Sequence, residues 1–191
     1  SGTSVLLEDA GRQAHDAGVI AKGDRMGVVV EQRVTLPHPD LPEADWADSY
    51  AVRLDRSDLD PMEVARDLMG RAPRWVGALL KIRNRIVGLF GLKSAELELT
   101  GQDKIGGFPV IDHDGERVLL GFDDKHLDFR IIVTVEPEGA GHQQVSLTTL
   151  VKRHNLFGRI YILVVTPFHK LIVKTFLKRF AASSGLNHRS A

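Results

Sequence analysis

The sequence predicts an α+β domain in which a curved antiparallel sheet wraps around one long C-terminal helix. Apolar residues near the C-terminus recur at helical spacing, whereas several earlier segments alternate apolar and polar residues. The spacing of apolar residues changes from helical to alternating near Ile105. A sheet with apolar side chains mainly on one face needs a cover, and the C-terminal segment is long enough to supply it.

Composition limits the class of protein. The chain has 191 residues, with 25 Lys and Arg against 25 Asp and Glu, and no cysteine. This length suits one domain with a sizeable core, and the balanced charge argues against a nucleic-acid partner. The lack of cysteine excludes disulfides and fits a reducing, cytoplasmic location. We expect no membrane span, because Thr166-Pro167 interrupts the longest apolar run.

The chain divides into three predicted parts. Residues 1–26 comprise an expression-tag remnant at Ser1-Gly2 and a mobile leader, since glycines weaken any helix there. Residues 27–182 form the single domain, and residues 183–191 form a disordered tail.

The first strands are predicted on either side of a loop. Val28 to Leu36 alternates partly and indicates an edge strand or an extended arm. Three prolines between residues 37 and 42 then prevent regular structure. Tyr50, Val52 and Leu54 alternate with more polar residues, which predicts a strand with one buried face.

Two shorter helices follow this strand. Asp60 to Glu63 has the residue types of a helix start, with an Asp cap and Pro at the first helical position, and Gly70 ends the helix. Pro73 opens a second helix that ends at Gly91. Its apolar stripe comprises Trp75, Leu79, Ile82, Ile86 and either Phe90 or Leu89.

An antiparallel meander is predicted next. Phe108 to Asp112 forms a strand, and Gly115 supplies a positive φ in the turn that follows. Glu96 to Leu99 adds a short strand before it. Three further strands alternate, and their apolar-face residues are Val118, Leu120 and Phe122; Leu127, Phe129, Ile131, Val133 and Val135; and Val145, Leu147, Thr149 and Val151.

The closing helix is predicted from Asn155 to Ala182, with Asn155 as its cap. Pro167 lacks an N–H and predicts a kink or a restart, with Thr166 capping the new segment. The stripe predicted to face the sheet comprises Phe168, Leu171, Ile172, Phe176 and Phe180. Lys170, Lys174 and Lys178 recur on another face.

Several motifs carry a family resemblance. They are Ala47-Asp48-Ser49-Tyr50, Asp124-Lys125-His126-Leu127-Asp128-Phe129-Arg130, Gly158-Arg159-Ile160-Tyr161 and Pro167-Phe168-His169-Lys170-Leu171-Ile172-Val173. They resemble a bacterial family known as domain of unknown function 2867, from about Leu36 to Phe180. The resemblance implies a helix-grip fold of the steroidogenic-lipid-transfer and birch-pollen-allergen superfamily (START-like, SRPBCC). Some relatives carry a nicotinamide-nucleotide-binding domain, but no GxGxxG follows a strand here, so we expect no hydride transfer.

One candidate site lies at the start of a meander strand. Asp124, His126, Asp128 and Arg130 fall at every second position and share one face if the strand begins that early. His126 between carboxylates would suit a base or a metal ligand. Because the apolar alternation favours a charge network on the solvent face instead, we predict no metal site and no cofactor.

A second candidate lies in the closing helix. A restart at Pro167 would place His169 in a first turn, where the helix dipole favours a neutral imidazole. His169 then either anchors a ligand or bonds a backbone carbonyl or a sheet carboxylate. Tyr161 either orients a ligand or fills the core.

Three functional hypotheses remain open. The leading one is a module that binds a hydrophobic small molecule between sheet and helix, contacting Tyr161, His169, Phe129, Phe122 and Trp75. The second is an enzyme on the same fold, a cyclase or hydrolase of a hydrophobic substrate, with His126, His169 and Asp128 as catalytic candidates. The third is an interaction domain with a packed core, for which a homodimer through a strand edge is possible.

Overall fold

The computed structural model describes residues 26–70, 103–139 and 141–187. Within these ranges the chain forms β1 (Val29–Gln32), β2 (Trp46–Leu54), α1 (Pro61–Gly70), β3 (Lys104–Ile105), β4 (Phe108–His113), β5 (Arg117–Asp123), β6 (Leu127–Pro137), β7 (Gln143–Arg153) and α2 (Leu156–Asn187). The predicted helix from Pro73 to Gly91 and the predicted strand from Glu96 to Leu99 lie outside the described residues. The α+β class is confirmed.

The strands form one antiparallel, curved sheet in the order β1-β2-β7-β6-β5-β4-β3. The pair β6 and β7 is the longest, with 11 residues in each strand. The predicted meander is therefore confirmed. β1 pairs with β2 from Val29 opposite Val52 to Gln32 opposite Ser49, so the partly alternating segment near the start is an edge strand.

One face of the sheet, here called the inner face, is covered by the two helices. Val64 and Leu68 of α1, and Phe176 and Leu177 of α2, pack in the same core as Leu120 and its neighbours on the strands. The alternation predicted from the sequence places these strand side chains on one face, because successive residues in a strand point to opposite sides.

The opposite, outer face of the sheet is also covered, which corrects the prediction that β2 has only one buried face. Leu41 and Ala44 of the proline-rich loop pack against Leu119, Ile132 and Leu150. Both faces of β2 are therefore mostly buried. Three prolines prevent the loop from joining the sheet, but they leave its apolar side chains free to pack on it.

Both predicted helix caps are present. The backbone N–H of Glu63 donates to Asp60 Oδ1 at 3.0 Å, and that of Gly158 donates to Asn155 Oδ1 at 3.0 Å. These bonds satisfy first-turn N–H groups that have no partner within the helix. α2 continues to Asn187, past the predicted end at Ala182.

Pro167 does not restart the closing helix, so the predicted restart is wrong, whereas the predicted kink stays a prediction. α2 runs through Pro167 without interruption, and the Thr166 hydroxyl donates to the Ile162 carbonyl at 2.6 Å instead of capping a new segment. A single missing N–H is tolerated here because residues on both sides of the proline, Ile162 and Val173, are buried against the rest of the chain.

The stripe predicted to face the sheet is only partly right. Phe176 and Phe180 are buried, but Phe168 is 47% exposed and Leu171 is 55% exposed. The residues that α2 buries instead include Ile162, Val173, Leu177 and Ser184. The first half of α2 is apolar on nearly every side, so spacing alone could not identify which side packs.

The turn between β4 and β5 differs from its prediction. Gly115 is not among the described glycines with a positive φ. Asp114 organises the turn, because its Oδ1 accepts the backbone N–H groups of Glu116 at 2.8 Å and Arg117 at 2.9 Å. These two bonds lower the pKa of Asp114, since they stabilise the ionised carboxylate.

One described helix is long and apolar enough to cross a membrane by length and composition, over Leu156–Ser184. This criterion concerns length and composition alone, so the expectation of no membrane span stays a prediction. The same helix also contributes Val173, Phe176, Leu177 and Phe180 to the core of the sheet domain.

Candidate functional site

The inner face carries buried polar side chains opposite the middle of α2. Asp48 on β2 is 6% exposed and lies opposite Thr149 on β7. His169 of α2 reaches both residues, with its Nε2 3.1 Å from Asp48 Oδ1 and 3.2 Å from Thr149 Oγ1. The Trp46 ring meets the His169 ring edge-on, with centroids 5.8 Å apart. We call Asp48 and His169 the polar pair.

The polar pair fixes which imidazole nitrogen carries a proton. An ionised carboxylate only accepts hydrogen bonds, so the Nε2–H of His169 donates to Asp48. In the neutral ring, Nδ1 is then the acceptor nitrogen. The second carboxylate oxygen, Asp48 Oδ2, is buried and has no hydrogen-bond partner in the described ranges. Such an oxygen is costly to leave unpaired, so the site favours an added donor.

This geometry decides between the structural alternatives for His169. Because α2 does not restart at Pro167, His169 lies in mid-helix and not in the first turn that was predicted for it. Of the two partners proposed for a structural histidine, the sheet carboxylate is the one present. The role of His169 as a ligand anchor stays a prediction.

Five other aromatic side chains, here called the aromatic wall, lie on strands β4 to β6 and at the start of α2. Phe108, Phe122 and Phe129 come from β4, β5 and β6, and their ring centroids are 5.6–6.2 Å apart. Phe157 and Tyr161 come from the first turns of α2, with centroids 6.5 Å apart. All five side chains are only partly buried. Together they present a partly exposed apolar surface.

Strand register relates the wall to the polar pair. Phe122, Phe129, Val151 and Trp46 form one row across the inner face. The next row ends at Thr149 and Asp48. Adjacent strands are about 4.8 Å apart, so the strands that carry Phe122 and Asp48, which are three spacings apart, lie about 14 Å from each other across the sheet.

The other predicted site residues lie elsewhere. β6 begins at Leu127, and Asp124 and His126 belong to the turn before it, closed by a bond from Asp124 N–H to the Leu127 carbonyl at 2.9 Å. They therefore do not share a strand face with Asp128, and that interpretation is wrong. The Asn155 Nδ2 lies 2.9 Å from His126 Nδ1, and the His126 ring packs near Phe157.

Asp128 has a different histidine partner from the one predicted. The His154 Nε2 lies 2.9 Å from Asp128 Oδ1, at the ends of β6 and β7. Trp75 lies outside the described residues. Within residues 26–70, 103–139 and 141–187, no three His, Asp or Glu side chains come together in a way that could hold a metal ion.

Asp48, Thr149, Phe108 and Phe157 belong to this region but were not predicted as site residues. A signal for Asp48 was present in the sequence, because it occupies an inner position of β2 between Trp46 and Tyr50. A carboxylate within an apolar alternation indicates either a buried partner or a site. The partner, His169, is 121 residues away in the chain, so spacing could not reveal it.

A concavity lies toward the C-terminal end of α2. It has a volume of about 120 Å³ and is lined by Asp67, Leu68, Phe176, Arg179, Phe180 and Ser183. Pockets for drug-sized ligands usually have volumes of about 300–1,000 Å³. We place the candidate site at the aromatic wall and the polar pair, because they combine partly exposed aromatic rings with a buried carboxylate oxygen that has no partner among the described residues.

Tyr50 lies next to Asp48 along the inner face and is fully buried. Burial raises the pKa of the Tyr50 phenol above 10.0, and the nearby carboxylates of Asp48 and Glu31 raise it further. Lys174 Nζ lies 5.0 Å from the centre of the ring.

We expect Tyr50 to ionise later than an ordinary tyrosine in an alkaline titration. The chain has only two tyrosines, so the difference in phenolate absorbance between the wild type and Tyr50→Phe gives the titration of Tyr50. Because the pKa of Tyr50 is raised in the folded state, the contribution of the buried neutral phenol to stability is complete below pH 10.0. That contribution is lost as the pH rises through the pKa of the folded state. A Tyr50 component that titrates at or below the ordinary pKa contradicts the prediction.

A comparison with protein families gives one match. A family model described as "Protein of unknown function (DUF2867)" matches residues 41–176, which include the polar pair and all five residues of the aromatic wall. Searches of curated proteins and of solved structures gave no match.

Proposed function

This chain belongs to the DUF2867 family, and we propose that it binds a hydrophobic small molecule that carries a hydrogen-bond donor. The proposed site, here called the cleft, is the partly exposed surface of the aromatic wall together with the polar pair. We also propose that the domain is a helix-grip fold, because an antiparallel sheet holds a long C-terminal helix on its inner face. The family description names no reaction, so the proposal rests on geometry.

The observation that carries the proposal is a partly exposed aromatic wall beside a buried acceptor. Ligand sites are typically apolar surfaces with a few placed polar groups. Phe122, Phe129 and Tyr161 would contact the apolar body of the ligand, and Asp48 Oδ2 would accept its donor. His169 would hold the Asp48 carboxylate in place through Oδ1. Trp75 remains a proposed contact.

The test is titration of the full chain with the neutral fluorescent probe N-phenyl-1-naphthylamine, which combines two aromatic groups with one N–H donor. We expect saturable binding of one probe per chain. Phe122→Ala removes part of the wall and should weaken binding about tenfold, the equivalent of 1.4 kcal/mol. Asp48→Asn keeps the size of the side chain but replaces one acceptor with an N–H₂ donor, and should also weaken binding.

Leu163→Ala is the matched control. Leu163 is 75% exposed on the same helix, away from the wall, so its removal should leave probe affinity unchanged. Thermal unfolding of each variant shows that it is folded before titration. Equal affinity in the wild type, Phe122→Ala and Asp48→Asn would show that the probe does not occupy the cleft. Extraction of the purified chain with organic solvent, followed by mass spectrometry, then identifies any natural ligand.

A second candidate function is an enzyme acting on a hydrophobic substrate, such as a cyclase or hydrolase. The Asp48–His169 contact favours it, because a carboxylate on one imidazole nitrogen orients the ring and leaves the other nitrogen as a proton acceptor. His169 would then be the general base. If a substrate is identified, His169→Gln should reduce kcat strongly with little change in KM, whereas a purely binding role for His169 predicts a change in KM alone.

A further inference from the structure

The first half of α2 has an apolar face that points away from the sheet. Its members lie at helical spacing and are between 47% and 75% exposed, whereas Ile162 on the opposite side is 7% exposed. They are Leu156, Ile160, Leu163, Val164, Phe168 and Leu171. We call them the outward face of α2. Six large apolar side chains on one helix face form a patch of the kind that marks an interaction site.

The charged side chains of the same helix are all basic. Its 32 residues include five Lys and Arg and no Asp or Glu. Arg159 precedes most of the outward face, and Lys170, Lys174, Lys178 and Arg179 follow or flank it. Glu31 of β1 approaches Lys170 at 3.2 Å and Lys174 at 4.0 Å. Arg159, Lys178 and Arg179 are exposed.

We propose that the outward face of α2 binds the surface of an anionic lipid membrane, with the helix lying in the plane of the surface. An interfacial helix places apolar side chains among the acyl chains while flanking cations meet anionic headgroups. The remaining side of α2 holds Val173, Phe176 and Leu177 in the protein core. A helix that crossed the membrane would uncover that core, so the in-plane position is the one that keeps the domain folded.

The positive charge of α2 argues against two other ways of covering its outward face. A second copy packed on the same face about a two-fold axis would bring two sets of these cations together. Residues 71–102 could also cover the face, but they contain six Lys and Arg against two Glu and would add positive charge to it. An anionic surface is the complementary partner. The proposal does not depend on a ligand in the cleft.

The test is flotation of the full chain with vesicles of phosphatidylcholine, with or without about one third phosphatidylserine. We expect the chain to float with the anionic vesicles and to bind neutral vesicles at least about tenfold more weakly. The double variant Leu163→Gln/Leu171→Gln should weaken binding to anionic vesicles at least about tenfold. Sodium chloride at about 0.5 M should also weaken it.

Two controls separate the outcomes. Phe122→Ala alters the cleft but not the outward face, so it should bind vesicles as the wild type does even where it loses probe binding. Thermal unfolding shows that the double variant is folded. A chain that stays with the soluble fraction overturns the proposal. Light scattering then assigns the face to a second copy if the chain is dimeric and the double variant is monomeric.

Discussion

Leu177→Ala should lower the free energy of unfolding by about 2–5 kcal/mol, the range for a buried leucine truncated to alanine. Leu177 is fully buried in the core between α2 and the inner face of the sheet. Truncation removes apolar contacts and leaves a cavity that neighbouring strands cannot fill, because the sheet is held by its backbone hydrogen bonds. Denaturant unfolding followed by circular dichroism measures the change.

Leu163→Ala in the same helix is the matched control. Leu163 is 75% exposed, so its truncation should change the free energy of unfolding by less than about 0.5 kcal/mol. The pair keeps residue type and helix propensity constant and changes only burial. Similar losses for the two variants would mean that α2 packs on the sheet through a different side.

Gly121→Ala should destabilise the domain by about 1–3 kcal/mol, the usual cost of forcing extra atoms into a packed region. A Cβ at this position would lie 2.1 Å from the Phe129 carbonyl oxygen and 3.2 Å from Arg130 Cα. Both atoms are backbone of the paired strand β6, so neither can move aside without disturbing the β5–β6 ladder. Thermal unfolding reports the loss.

Gly115→Ala provides the comparison, because a Cβ added to Gly115 meets nothing within 4 Å and its φ is not positive. It should therefore leave the stability nearly unchanged. If Gly121→Ala were as stable as Gly115→Ala, the close approach of β5 to β6 at Gly121 would be wrong.

The meander and the helix starts could be predicted from the sequence because they depend on local patterns. Alternation over β5, β6 and β7 follows directly from the two-residue period of a strand. Asp60 and Asn155 are caps because each lies just before a helix, where unpaired N–H groups need an acceptor. Such signals are contained within a few residues of chain.

The errors in the prediction arose where tertiary contacts determine whether a helix continues and which of its sides is buried. Pro167 is tolerated in α2 because packing on both sides holds the helix together, and no local rule contains that contribution. The side of α2 that meets the sheet was misassigned at Phe168 and Leu171, since an apolar residue gives the same signal whether it packs in the core or faces outward. β2 is buried on its outer face by a loop whose prolines predicted only irregularity.

In the candidate site, too, local patterns reveal some residues and only the folded structure reveals others. His169, Tyr161, Phe122 and Phe129 could be singled out as a histidine and aromatic residues near the predicted helix–sheet contact. Asp48 could not be joined to His169, because the two meet only when the N-terminal and C-terminal parts of the domain fold together.

The most direct test of the account is a nuclear Overhauser measurement between bound N-phenyl-1-naphthylamine and the side chains of the folded chain. We predict contacts from the probe to the rings of Phe122, Phe129 and Tyr161, all within the cleft. Contacts confined to Leu163, Phe168 or other members of the outward face of α2 would contradict the ligand site proposed here.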